Sequence, residues 1–248
     1  MSIFEQIAQK TDRGDKQLAI LIDPDKSDTN SLSEVVSMAK QAAVDYFFVG
    51  GSLLTRDNIG HCIQELKKKC QIPVIIFPGS MLQVNAKADA LLLLSLISGR
   101  NADMLIHNHV VAAPIIRNSG LEVIPTGYIL VESGKITSVL YMSNTIPIPF
   151  DKIDIAVCTA MAGEMLGLKM IYMDAGSGAL YTIPMEMVRA VKQNIKAPLV
   201  IGGGIRTPEE AMEIWDAGAD IVVVGNAAEI DPGVTLKMGE AKKSLNLA

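Results

Sequence analysis

The sequence predicts a (β/α)8 barrel, and three observations carry that reading. Eight short runs rich in β-branched, leucine or aromatic residues recur along 248 residues, close to the length typical of one such barrel, and most are followed by a helix-patterned segment. The runs are apolar on consecutive positions, as in parallel strands buried on both faces. The last two, residues 198–201 and 221–224, lead into Gly202-Gly203-Gly204 and Gly225-Asn226. They lie about 20 residues apart, in the order in which the seventh and eighth strands of a barrel form a phosphate site. Glycine lets main-chain N–H groups approach an anion, and the helix N-terminus behind it adds partial positive charge. No linker or shift of composition interrupts residues 1–248, so a single barrel domain is expected.

The first strand is residues 18–23, ending in Asp23 and closed by Pro24-Asp25-Lys26. Apolar residues at helical spacing place a helix over 31–43, with Ser31 available as its N-cap. The second strand, 46–49, runs into Gly50-Gly51-Ser52, and a helix is expected from Thr55, capped by Thr55 or Asp57, to Lys67-Lys68-Lys69. That basic run suits a solvated helix C-terminus. Strands three and four are 73–77 and 90–94. Between them, residues 78–89 carry Pro-Gly-Ser and no helical stripe, so a loop is expected where a regular barrel has a helix. Residues 101–118 read as a helix kinked at Pro114. His107 and His109 lie near its start and read as structural, because no third ligand stands close and zinc needs three or four.

Strand five is 121–128, and the pattern over 129–141 suggests a β-hairpin. A methionine-rich helix over 154–166 ends at Gly167, and its nearly all-round apolar surface suggests packing against another subunit. Strand six, 169–174, ends in Asp174-Ala175-Gly176-Ser177-Gly178. Helices follow at 185–195 and 208–217, after strands six and seven, and at 234–245 after strand eight.

Composition narrows the function. A net charge of -5 argues against nucleic acid, whose backbone is bound by basic surface. Mean hydropathy is +0.31, yet every apolar run is far shorter than the ~20 residues that span a bilayer. Residues 1–10 do not read as an export signal, and Cys62, Cys70 and Cys158 form no CxxC pair, so a reduced cytoplasmic setting is expected.

Residues just past the strand ends share one mouth in a barrel. Here they are Asp23 and Asp25, Ser52, Thr126 and Tyr128, Tyr172 and Asp174, Gly176 to Gly178, Gly203 and Gly204, and Gly225 and Asn226. Glycines and hydroxyls from strands six to eight fit a phosphate and a polyol, while a carboxylate and a hydroxyl from strands one and two suit Mg²⁺ at phosphate chemistry. An aldolase-type amine is missing, since Lys169 lies at the wrong end of its strand, and strand five ends without an acid. GxSxG, HExxH and Walker sequences are absent.

Five segments together resemble one family, the geranylgeranylglyceryl phosphate synthases with their bacterial heptaprenylglyceryl relatives. They are Leu21-Ile22-Asp23-Pro24-Asp25-Lys26, Val49-Gly50-Gly51-Ser52, Tyr172-Met173-Asp174-Ala175-Gly176-Ser177-Gly178, Gly202-Gly203-Gly204-Ile205-Arg206 and Val224-Gly225-Asn226. Each alone is common; in this order they are specific. The resemblance implies a prenyltransferase joining sn-glycerol 1-phosphate to geranylgeranyl diphosphate, or another polyprenyl diphosphate, to give an ether lipid precursor and pyrophosphate. It implies Mg²⁺ on Asp23 and Ser52. Tyr172, Met173, Asp174, Ala175, Gly176, Ser177, Gly178, Gly203, Gly204, Gly225 and Asn226 would hold glycerol phosphate, with Tyr172 and Asp174 as the catalytic pair. The apolar helix over 154–166 and the methionine content point to a homo-oligomer, and transient contact with a membrane surface is expected on product release. Asp174 stands where the family has glutamate, one methylene longer, and Leu21 where the heptaprenyl branch has lysine, which favours the geranylgeranyl branch. A prenyl tail requires an apolar groove, expected at Phe77 to Ser80 and Leu91 to Leu94. The competing readings are a phosphosugar isomerase or lyase, needing paired acid and base on strands one and five, and a non-catalytic phosphate-binding barrel.

Overall fold

The computed structural model describes residues 1–247. Eight parallel strands close on themselves in chain order: β1 (Gln17–Ile22), β2 (Tyr46–Val49), β3 (Val74–Ile76), β4 (Ala90–Leu96), β5 (Glu122–Leu130), β6 (Met170–Asp174), β7 (Leu199–Gly202) and β8 (Ile221–Val224). The helices outside them are α1 (Ile3–Asp12), α2 (Thr29–Gln41), α3 (Ile59–Lys69), α4 (Asn108–Ser119), α5 (Ser138–Ser143), α6 (Ile153–Met165), α7 (Met185–Asn194), α8 (Pro208–Asp216), α9 (Asn226–Ile230) and α10 (Pro232–Asn246).

Alternation along each strand divides the core in two. Phe48, Leu92, Tyr128 and Tyr172 point into the barrel, while Phe47, Leu91, Ile129 and Met173 point at the helix layer. The segment between β3 and β4 has no α-helix, only a single 3₁₀ turn at Met81–Gln83, as the sequence predicts.

The N-terminal end of the barrel is built for stability. Asp45, Asp89 and Asp220 each precede a strand and accept the first free N–H of the strand before it, from Leu18 (2.9 Å), Val74 (2.9 Å) and Leu199 (2.7 Å). Each also pairs with lysine: Asp45 with Lys10 and Lys242, Asp89 with Lys67, and Asp220 with Lys192. Helix α1, which the sequence reading does not anticipate, closes this end. Its Ile7 is fully buried in the inner core, and the Glu122 carboxylate accepts the N–H groups of Ile3 (2.6 Å) and Phe4 (2.8 Å). Lys169 is at this end too, over the Phe4 ring.

Four local expectations are corrected. The predicted hairpin over 129–141 is absent: β5 runs to Leu130, a single bridge joins Val131 to Ile148, and α5 forms instead. Helix α2 is capped by Asp28, which exchanges hydrogen bonds with Ser31, rather than by Ser31 itself. Helix α3 begins at Ile59, not at Thr55, because Thr55 is held by the Asp25 carboxylate. Thr126 is not at the mouth; it pairs with the first residue of β6, and its hydroxyl donates to Ile124 O (2.9 Å). Gly167 does end α6, at φ +86°.

Candidate active site

At the C-terminal end of the strands a cavity of about 480 Å³ is lined by residues from all around the mouth. Its floor is aromatic. Phe77 stacks on Tyr172 at 5.1 Å between centroids, and Tyr128 meets Tyr172 edge-on at 5.5 Å.

One side of the cavity is the glycine-rich rim of β6, β7 and β8. Ser177, Gly178, Gly203, Gly204, Gly225 and Asn226 line it together, although they come from three loops. Gly203 shows why glycine is needed: φ is +83°, and a Cβ would fall 2.6 Å from Asp174 Oδ1 and from the Gly176 N–H nitrogen. The Ser177 hydroxyl donates to Asn226 Oδ1 (3.2 Å), tying the β6 loop to the start of α9. Arg206 is structural here: its guanidinium donates to the carbonyls of Ala179 and Leu180. Helix α8 starts behind Gly204 with a Thr207–Glu210 capping box, in which the Glu210 carboxylate accepts the N–H groups of Arg206 (2.7 Å) and Thr207 (3.1 Å), so the glycine rim itself is what remains open to an anion. Of the expected substrate-binding set, Met173, Ala175 and Gly176 do not line the cavity, and Gly176 serves Asp174 through its N–H. The side chains of Met173 and Ala175 are buried against the helix layer, outside the cavity lining, so they shape the segment without facing a ligand.

Asp174 and Tyr172 stand between this rim and the rest of the cavity. Tyr128 donates its hydroxyl to Asp174 Oδ2, and the Gly176 N–H donates to Oδ1 at 2.7 Å. Burial pushes the Asp174 carboxyl above the usual carboxylate range, while those two donors pull it partly back. Burial, and then the Asp174 charge, push the Tyr128 and Tyr172 hydroxyls well above the usual phenol range. Both tyrosines therefore stay protonated, and Tyr128 donates to the carboxylate.

Next round the barrel from β8, the wall is built from β1, β2 and α9. Asp23 and Ser52 line it, and the turn carrying Ser52 packs on Asp23, with the Gly51 Cβ direction 3.8 Å from Oδ1. Asp23 Oδ1 accepts the Asp25 N–H (3.0 Å), and its backbone N–H donates to Glu229 Oε1 (3.3 Å). Lys26 lies 3.1 Å from Asp23 Oδ2 and 3.6 Å from Glu229 Oε2. Asp25 is occupied with the loop after β2, accepting from the Thr55 hydroxyl (2.8 Å) and the N–H groups of Thr55 and Arg56. No cluster of three or more His, Cys, Asp or Glu side chains suited to a metal occurs among the described residues. One carboxylate and one hydroxyl instead fit a hard cation such as Mg²⁺, which keeps most of its shell for water and phosphate oxygens.

From the mouth the cavity continues over the outer face of β4, where the helix is missing. Met81, Val84, Leu91, Leu93, Ala112 and Ile116 make an apolar groove between the 3₁₀ turn and α4. Buried Gln83 fixes its near wall by donating to Gly51 O (2.8 Å) and accepting from Gly79 N–H (3.1 Å). His109 reaches the groove and pairs with Ser95 Oγ through Nε2 (3.1 Å), while His107 is exposed.

Sequence reasoning missed Gln83 and Glu229 altogether and left Tyr128 and Lys26 without roles. Glu229 and Gln83 have no local signature, since each acts on an element distant in sequence. Tyr128 was legible as a strand-end residue, but its pairing with Asp174 depends on the register that sets Tyr128 beside Tyr172.

Comparisons with known proteins agree with this geometry. The family model described as the PcrB family matches residues 12–243. A protein named geranylgeranylglyceryl phosphate synthase from Chitinophaga pinensis is 49% identical over 96% of this chain and 95% of its own length. One of the same name from Korarchaeum cryptofilum is 40% identical over 92% of this chain and 93% of its own. Among solved structures, (S)-3-O-geranylgeranylglyceryl phosphate synthase from Thermoplasma acidophilum, in complex with its substrate sn-glycerol-1-phosphate, superposes with a TM-score of 0.93 at 33% identity. It covers 98% of this chain and 99% of that one. Thiamine phosphate pyrophosphorylase from Pyrococcus furiosus, at 15% identity and a TM-score of 0.59, shares the fold alone. A family match across nearly the whole chain, with relatives this similar over their full lengths, places the chain in the PcrB family, among the geranylgeranylglyceryl phosphate synthases.

Proposed function

We propose that this chain joins sn-glycerol 1-phosphate to geranylgeranyl diphosphate, giving geranylgeranylglyceryl phosphate and pyrophosphate. The observation that carries the reading is that a single cavity runs from a glycine cradle, past a buried carboxylate, into an apolar groove. The cradle suits a phosphomonoester and the groove a prenyl chain. In the reaction the allylic C–O bond breaks and its electron pair leaves with pyrophosphate. The glycerol 3-hydroxyl oxygen forms the new ether bond, and its proton passes to the Asp174 carboxylate. Burial raises the basicity of that carboxylate, and Tyr128 and Gly176 fix its direction. The rim glycines and Asn226 orient the nucleophile, and the aromatic floor keeps water from the allylic carbon.

Asp23 and Ser52 would hold Mg²⁺ beside the diphosphate. When bound, the ion supplies neutralisation of the negative charge that gathers on the leaving group. The isomerase or lyase reading finds less support, because β5 brings a tyrosine rather than an acid to the mouth and the groove beside it is apolar. Exposed Ile106, Val110, Val111 and Ile115 on and before α4 support the self-association and membrane contact proposed with this activity; no helix among the described residues is long and apolar enough to cross a membrane.

The test is incubation with labelled sn-glycerol 1-phosphate, Mg²⁺ and prenyl diphosphates of several lengths. Label is expected to move into an organic-extractable product, best with the geranylgeranyl chain. Binding of glycerol phosphate without transfer to any chain length overturns the reading.

A further inference from the structure

At the metal-side rim Asp23 stands in a cluster with two groups, Lys26 and Glu229, that the reaction as described leaves unused. The Lys26 ammonium sits between two carboxylates, 3.1 Å from Asp23 and 3.6 Å from Glu229. Glu229 also accepts the Asp23 backbone N–H, so one side chain on α9 ties down both residues. All three line the cavity. Of the basic side chains there, Arg206 lies across the mouth and is spent on the carbonyls of Ala179 and Leu180. Lys26 is therefore the cation available to a multiply charged diphosphate on this side, yet it faces two groups that repel such an anion.

We propose that Lys26 is an exchangeable counter-ion. Its ammonium neutralises Asp23 and Glu229 while the site is free, and it moves onto the diphosphate oxygens when a divalent cation takes its place beside Asp23. The lysine is suited to this: its side chain is 55% exposed, and its flexible four-carbon stem carries a point charge that is not locked by a planar fork. The exchange costs little, because half-exposed ion pairs are individually weak. It rests on the prenyltransferase reading, in that the diphosphate is the second anion Lys26 meets.

The two halves of the role give effects of opposite sign in Lys26→Met. Without the competing ammonium, Mn²⁺ in the absence of diphosphate is expected to bind about two- to fivefold more tightly, read by titration of the Mn²⁺ paramagnetic signal. KM for the prenyl diphosphate is expected to rise about tenfold or more, because a charge-assisted contact is lost. Lys26→Arg keeps the charge, so its Mn²⁺ affinity is expected to stay near wild type with partial recovery of KM. Unchanged or weaker Mn²⁺ binding in folded Lys26→Met overturns the counter-ion role, as does an unchanged KM. Failure of the wild-type protein to transfer any prenyl chain instead sinks the prenyltransferase reading, while the Mn²⁺ comparison still judges the competition at Asp23.

Discussion

Asp174 is a carboxylate held almost out of reach of water, and that placement governs both its chemistry and its cost. Burial lifts its pKa above the unfolded value, so folding favours the neutral acid. The stability this group contributes is thus present below the ordinary carboxyl range and is lost as pH rises through the raised folded pKa. As a base it must be ionised, so turnover and stability change in opposite directions over that window. Asp174→Asn is expected to lower kcat on the order of 10²- to 10⁴-fold while Tm at neutral pH stays level or rises; steady-state kinetics beside a thermal melt checks both. Tyr128 donates to the ionised form and pulls the pKa down. Tyr128→Phe is therefore expected to shift the acid limb of the kcat/KM pH profile to higher pH, and an unmoved limb would remove Tyr128 from that role. Asp174 was visible in the sequence because it ends an apolar strand just before Gly176-Ser177-Gly178. Its donors were not, because one lies on the neighbouring strand, brought beside it by the β5–β6 register, and the other is a backbone N–H.

The segment between β3 and β4 shows how an element that fails to form makes a binding surface. Residues 78–89 have too little helical periodicity to cover β4, which leaves Leu91 and Leu93 facing a groove instead of a helix. The gap was legible in the sequence because a missing stripe is a local property. What holds the gap open was not legible: Gln83 bridges the turns after β2 and β3, and a Cβ on Gly79 would collide with the Gly51 backbone. Gln83→Ala leaves buried partners at Gly51 and Gly79 unsatisfied, at a cost of about 1–3 kcal/mol. It is expected to raise KM for the prenyl diphosphate while the Kd for glycerol phosphate, measured calorimetrically, stays the same. The hairpin expected over 129–141 does not form. Ser133-Gly134 does mark a bend, with Gly134 at φ +81°, but Val131 bridges Ile148 and residues Ser138–Ser143 form the short helix α5 in place of a returning strand. Helix α1 carried a readable Ser2-to-Glu5 capping box.

Over the whole molecule, stability and chemistry occupy opposite ends of the barrel. The N-terminal end is closed by α1 and by the aspartates that pair with both strand N–H groups and lysines, while the C-terminal end is left open and lined with glycine. Ile7→Ala, a truncation in the sealed end, is expected to destabilise by about 2–5 kcal/mol in denaturant titration with kcat/KM unchanged below the unfolding transition. A fall in kcat/KM would mean that the ends are coupled. The order of the eight strands was legible because each apolar run is short, bounded by turns and buried on both faces, and closure then brings Asp23 and Gly225 to one mouth. The most direct test is a crystal structure with sn-glycerol 1-phosphate, Mg²⁺ and a non-reactive geranylgeranyl thiolodiphosphate. The phosphate is expected on Gly178, Gly203 and Asn226, the 3-hydroxyl at Asp174, the diphosphate beside Asp23, and the chain over Leu91 and Leu93. Glycerol phosphate outside the glycine rim, or a prenyl chain leaving the mouth away from β4, would contradict the assignment of both substrates to this one cavity.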